Sequence, residues 1–361
     1  MTSMFRQLRV HCAPSSRRDS VRTMAHGRIE LLSHESRLLK DNPLGDPAAR
    51  DLAVYLPPSY DAGGRFPTVT FLAGYTGSGP ALLNRAAWTP SLPERWDAAI
   101  AAGRAAEAIV VMPDCLTRYG GSQYVDSPAI GRYASYVCDE VVPLVDARLR
   151  TIPRREARAV AGKSSGGYGA LVLGMLRPDV FGAVASHAGD SAFDISYLRE
   201  FGHAAMVLEK KGGVRGFLQW FDTLPSKPAS AIEVMSIICC AAAWSPTESG
   251  PYGYGEGFDL PFHALTCALQ PEAWAKWLAW DPVRMLDQEK PAEAMRSMRA
   301  VFLDAGLGDE YNLQLGARQL ADKLGAHGVP HLHEEFDGGH MSTAYRYDRS
   351  FALLTSALAQ S

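Results

Sequence analysis

The chain has 361 residues, 47% of them apolar and 21% charged, with a formal net charge of −3. That balance excludes a disordered or fibrous chain, and it offers no basic field for nucleic acid or an anionic membrane surface. No apolar run reaches the roughly 18 residues that a transmembrane helix needs, so no membrane span is expected.

Met1 to Thr23 carries Arg6, Arg9, Arg17, Arg18 and Arg22 without the apolar run of a secretory signal. A disordered N-terminal extension over 1–23 is expected, followed by one domain over 24–361, with Met24 an alternative start. The six cysteines, Cys12, Cys115, Cys138, Cys239, Cys240 and Cys267, lack metal-ligand or redox spacing. They read as small buried apolar residues in a reducing, cytoplasmic protein.

From residue 28 onward short β-prone runs alternate with helical patterns, as in a mostly parallel sheet covered by helices on both faces. Strands are expected near Arg28–Ser33, Asp51–Leu56, Thr68–Leu72, Ala108–Met112, Arg158–Ala161, Ala183–His187, Ala300–Leu303 and His331–Phe336. The first two form an antiparallel edge. Helices fit Ser91–Ala102, Tyr133–Arg148, Gly166–Leu176, Leu313–Ala326 and Ala344–Ala359.

The alternation stops between His187 and Ala300, where aromatic residues crowd the chain: Trp220, Phe221, Trp244, Tyr252, Tyr254, Phe258, Phe262, Trp274, Trp277 and Trp280. A Gly-rich loop, Gly250–Gly257, lies among them, and Glu272–Trp280 is helical in pattern. The segment leaves the sheet only to return to it, so a cap or lid insertion over about 191–290 is expected above the strands' carboxyl ends. Trp274 and Trp277, three residues apart on one helix face, read as core of that cap.

Chemistry concentrates at Gly162-Lys163-Ser164-Ser165-Gly166, where a β-run passes into a helix through G-x-S-x-G. A serine on so sharp a turn needs small residues two before and two after it, and Gly162 and Gly166 meet that need for Ser164. Ser165 would need Lys163 and Gly167, so Ser164 is the better nucleophile. A phosphate-binding G-x-x-x-x-G-K-S loop is excluded, because its first glycine would fall at Ala157 within the strand.

A serine hydroxyl needs an imidazole to take its proton and a carboxylate to orient that imidazole, and in such elbows the chain order is Ser, acid, His. His340 follows a strand and two glycines, in Asp337-Gly338-Gly339-His340. His187, its chief competitor, precedes the acids and would break the order. Asp309 lies in the loop beyond a strand and is preferred to Asp304, which falls within the sheet layer; Glu310 and Asp190 stay open. The backbone N–H of Ser165, and that of Tyr75 in the Gly-rich loop after Thr68–Leu72, suit an oxyanion hole.

With these loops in place the chain resembles the putative esterase family that includes esterase D, S-formylglutathione hydrolase, feruloyl esterases and enterochelin esterase-like proteins. The marks are Val54-Tyr55-Leu56-Pro57-Pro58-Ser59-Tyr60, Gly121-Ser122-Gln123-Tyr124-Val125-Asp126-Ser127, the Ser164 elbow and Gly338-Gly339-His340, within a match from about 28 to 358. The resemblance implies an α/β-hydrolase fold, with Ser164 as nucleophile, Asp309 as acid, His340 as base, and the backbone of Tyr75 and Ser165 as oxyanion hole. Ala73-Gly74 stands where His-Gly is usual, and Lys163 and Ser165 stand where His and Met are common. Substrate preference therefore does not transfer.

The resulting expectation is a serine carboxylesterase that forms an acyl-enzyme, needs no metal or organic cofactor and acts on a small-molecule ester. Acyl transfer to an alcohol, or a hydrolase-fold binding protein that has lost catalysis, are the alternatives, and a homodimer stays open. Tyr124, Tyr252, Tyr254 and Phe258 are expected to line the substrate pocket.

Overall fold

The computed structural model describes residues 26–247 and 257–359. The expected extension over 1–23 lies outside them, as do Tyr252 and Tyr254. Among the described residues, no helix is long and apolar enough to cross a membrane.

Eight strands form one sheet: β1 (Arg28–Glu35), β2 (Ala49–Leu56), β3 (Thr68–Leu72), β4 (Ile109–Pro113), β5 (Arg158–Lys163), β6 (Ala183–His187), β7 (Ala300–Gly306) and β8 (Leu332–Phe336). Their order is β1-β2-β4-β3-β5-β6-β7-β8. β1 pairs antiparallel with β2, and β2 with β4, while β4 through β8 run parallel. Each strand foreseen in the sequence is present, with ends shifted by three residues or fewer. The longest extension carries β7 through Asp304 to Gly306, which draws Asp304 fully into the sheet.

The strands' period of two sends alternate side chains to opposite faces. Along β5, Ala159 and Ala161 face a core built with α1 (Leu92–Ala101) and the C-terminal α10 (Tyr347–Ala359), where Trp96 and Phe351 meet at 4.0 Å between ring centroids. Val160 faces the larger opposite core with α2 (Val142–Arg148) and α3 (Ser165–Leu176). The expected helix over Tyr133–Arg148 is broken in character: Tyr136–Val141 forms a π turn ahead of α2. There Glu140 is buried and accepts the Ser36 hydroxyl at 2.5 Å and the Arg37 N–H at 3.0 Å, which ties this segment to the edge of the sheet.

Between β6 and β7 the chain is helical: α4 (Leu198–Lys210), α5 (Gly213–Thr223), α6 (Ala229–Trp244), α7 (Pro271–Leu278) and α8 (Glu289–Arg296). Of these, the sequence pattern marks the bounds of α7 alone, over Glu272–Trp280. An aromatic cluster holds these helices to the sheet domain: Phe193 stacks on Trp244 at 4.5 Å, Trp244 meets Trp277 edge-on at 5.0 Å, and Tyr168 of α3 meets Trp244 at 5.3 Å. The Trp277 indole N–H reaches Ser245 Oγ at 2.9 Å, so its polar tip is satisfied within the core. Cys239 and Cys240 are fully buried in α6, and burial pushes the Cys239 thiol up to about 12, as suits packing rather than redox chemistry. The last long helix before β8 is α9 (Leu313–Ala326).

Candidate active site

Four adjacent strand ends converge on one edge, because parallel strands in register deliver their carboxyl termini together. Leu72 pairs with Gly162, Lys163 with His187, and His187 with Asp304, so the loops after β3, β5, β6 and β7 start side by side. Ser164 sits between β5 and α3 at φ 58°, ψ −128°, a backbone conformation that a serine adopts only under constraint. The constraint is visible at its neighbours: a Cβ on Gly162 would lie 2.4 Å from the Gly166 backbone, and one on Gly166 would lie 2.1 Å from Leu72 O. No other residue type fits either place. The Ser164 N–H donates to His187 O at 2.9 Å and its carbonyl accepts the Tyr168 N–H at 2.9 Å, which fixes the turn from both sides.

The three residues expected to act together do meet. The Ser164 hydroxyl lies 3.1 Å from His340 Nε2, and His340 Nδ1–H donates to Asp309 Oδ2 at 2.8 Å. His340 and Asp309 are buried. The second Asp309 oxygen accepts the Tyr311 N–H at 2.9 Å, so both oxygens are engaged and the carboxylate has one orientation. Glu310, weighed as an alternative acid, instead accepts the backbone N–H of His340 at 2.7 Å, and that bond holds its carboxyl below the usual range. The Tyr311 ring packs edge-on against the imidazole at 4.9 Å. Nothing in the sequence marked Tyr311, because its role depends on the return of the His340 loop.

The other candidates have partners of their own. His187 and Asp304 bind each other, Nδ1 to Oδ1 at 2.7 Å, deep in the core. Asp190 lines the cleft; burial raises its carboxyl to about 6, opposed by His340 and by a hydrogen bond from the Tyr197 hydroxyl. Among the described residues, no group of three His, Cys, Asp or Glu side chains could hold a metal ion.

Ser164 and His340 open on a cleft of about 360 Å³, within the range of small-ligand sites. Gly74, Tyr75 and Thr76 form one wall, Tyr311, Leu313 and Met341 another, and the helical segment after β6 supplies Ser196, Tyr197, Glu200, Ile232, Glu233, Ser236 and Ile237. Among the described residues the Tyr75 N–H has no acceptor, while its side-chain hydroxyl donates to Tyr119 O at 2.8 Å and anchors the loop. Ser165 N–H opens α3, where the first amides of a helix lack partners within it.

Two expected pocket residues are elsewhere. Tyr124 is buried behind the loop after β3, its hydroxyl donating to Ala73 O at 2.6 Å, and Phe258 is buried against Tyr119 at 6.4 Å. Neither is among the cleft-lining residues. The residues missed in their stead include Ile232, Glu233, Ser236 and Ile237, at i, i+1, i+4 and i+5 on one face of α6. That helix is apolar almost all round, so no polar-to-apolar contrast marked the face.

A family model described as "Putative esterase" matches residues 47–352. Among solved structures the chain is similar to a ferulic acid esterase, at 20% identity over 92% of this chain and 99% of that one, with a TM-score of 0.57. It is also similar to a fluorophosphonate-binding serine hydrolase of Staphylococcus aureus, at 16% identity over 92% and 99% with a TM-score of 0.54. An S-formylglutathione hydrolase from Agrobacterium tumefaciens gives 16% identity over 93% and 96%, with a TM-score of 0.52. At such identities the likeness speaks for the fold, the α/β-hydrolase fold. No curated protein sequence matches the chain.

Proposed function

We propose, from the premise that this chain belongs to the "Putative esterase" family, that it hydrolyses carboxylic esters through an acyl-enzyme formed on Ser164. One observation carries the mechanism: the unbroken hydrogen-bonded line from Asp309 through His340 to Ser164, ending in the cleft. Asp309 accepts a hydrogen bond from Nδ1–H, which keeps the proton on Nδ1 and leaves the Nε2 lone pair facing the hydroxyl. As Ser164 Oγ attacks the ester carbonyl, its proton passes to Nε2 and the carbonyl oxygen gains negative charge. The N–H groups of Ser165 and Tyr75 receive that charge; each such donor contributes about 3 kcal/mol in comparable sites.

The tetrahedral centre collapses when the imidazolium gives its proton to the departing alcohol. Water then enters, His340 takes one of its protons, and attack on the acyl carbonyl releases the acid and restores Ser164. The helical segment over about 191–290 acts as a cap that closes one side of the cleft and shapes the acyl or alcohol pocket. The test is a fluorophosphonate probe followed by peptide mass analysis: a single adduct on Ser164 is expected, and an adduct elsewhere, or none, contradicts the proposal.

A further inference from the structure

Resting on this ester-hydrolase reading of the cleft, we propose that Lys163 selects esters that carry a carboxylate, binding that group through its ammonium beside Ser164. Lys163 ends β5, next to the nucleophile in the chain, and its half-buried side chain lines the cleft. The acids lining the same cleft each have a partner. Glu200 Oε1 lies 2.9 Å from Arg199 Nε, Glu233 Oε2 lies 3.7 Å from His203 Nε2, and Asp190 takes the Tyr197 hydroxyl.

Lys163 differs. Among the described residues its ammonium has no hydrogen-bond or ion-pair partner; Asp309, Asp190 and Glu310 act on it only at longer range. Desolvation outweighs that attraction and draws its pKa below the ordinary lysine value. An ester that fills the cleft strips the ammonium of further water and leaves three donors to be met. Ile232, Ile237, Leu313 and Met341 make part of the cleft lining apolar, and the acids that share it are engaged as described. A substrate carboxylate meets the need with charge-assisted hydrogen bonds, and the neutral analogue does not.

The carboxylate can sit on the acyl or the alcohol half, so the experiment has two arms, run on the full chain. The acyl arm compares monomethyl glutarate with its neutral isostere methyl glutaramate; the alcohol arm compares O-acetylglycolate with O-acetylglycolamide. In one arm the carboxylate ester is expected to have the higher kcat/KM by about tenfold, a preference that shrinks with added salt. Lys163→Met should bring that ratio towards one, and Lys163→Arg should retain it.

A wild-type ratio of one or less in both arms overturns the proposal without reference to any variant. So does a Lys163→Met enzyme that loses carboxylate and amide esters by the same factor, since Lys163 would then support the elbow rather than read the substrate. Fluorophosphonate labelling of Ser164 without turnover of the carboxylate esters overturns this proposal alone. Absence of both labelling and turnover overturns the ester-hydrolase reading as well.

Discussion

Among the described residues the molecule holds two arrays of serine, histidine and aspartate, and the contrast between them separates hydrogen-bond geometry from access to a cleft. In the first, Ser164, His340 and Asp309 are linked at 3.1 and 2.8 Å. In the second, Ser350, His187 and Asp304 are linked at 2.8 and 2.7 Å, marginally shorter. Yet the second is sealed: Ser350 of α10 has no exposed surface, the His187 ring packs edge-on against Tyr347 at 4.9 Å, and the Ser350 hydroxyl is also 3.1 Å from Tyr347 O. Its aspartate is held by Arg346 at 3.0 Å, and among the described residues Asp309 has no such arginine partner. Access to a cleft and a constrained backbone at the serine distinguish the first array. The second fastens α10 to the ends of β6 and β7.

The sharpest way to break the comparison is to remove each serine. Ser164→Ala is expected to lower kcat by about 10⁴–10⁶-fold with the fold intact, while Ser350→Ala keeps turnover per folded molecule within about threefold. Steady-state rates on a nitrophenyl ester decide it, and the reverse pattern would exchange the two roles. Next in size, Asp309→Asn should lower kcat by about 10³-fold, less than His340→Ala, because orientation is lost while the imidazole stays. Full activity in Asp309→Asn would move the acid to Asp190 or Glu310.

The buried array is tested through stability. Asp304→Asn leaves Arg346 without part of its counter-charge in a buried site and should cost about 3 kcal/mol, read from the urea midpoint, with little change in kcat. A comparable but pH-dependent effect belongs to Asp190. Its carboxyl is raised from 3.8 to about 6, so the folded state holds a proton that the unfolded chain has lost between those values. Stability present below pH 4 is therefore lost as pH rises through about 6. Asp190→Asn should stabilise the protein by up to about 3 kcal/mol at pH 8 and by little at pH 4, and equal effects at both would refute the assignment. Smallest, Ile237→Ala should shift relative kcat/KM between short and long esters by about 1 kcal/mol, whereas Phe258→Ala should change all esters by one factor.

Much of this was legible in the chain. The β-runs and the intervening helices announced a mostly parallel sheet, because period and turn chemistry are local properties. Ser164 could be chosen over Ser165 from Gly162 and Gly166 alone, since the steric demand of the turn falls on residues two positions away. Chain order was enough to prefer His340 over His187, and the position of Asp304 at a strand end within the packed layer was enough to prefer Asp309 in the loop beyond.

What required the tertiary structure was everything that depends on residues distant in sequence. That Glu310 holds the His340 main chain and that His187 and Asp304 satisfy each other are contacts across 30 and 117 residues, with no local pattern to betray them. The cleft wall was mislocated for the same reason. An aromatic side chain such as Phe258 suits a pocket and a core equally well by composition, and only packing decides between them. The apolar α6, which reads as core on every face, turns one face to the cleft because the strand ends leave that space beneath it.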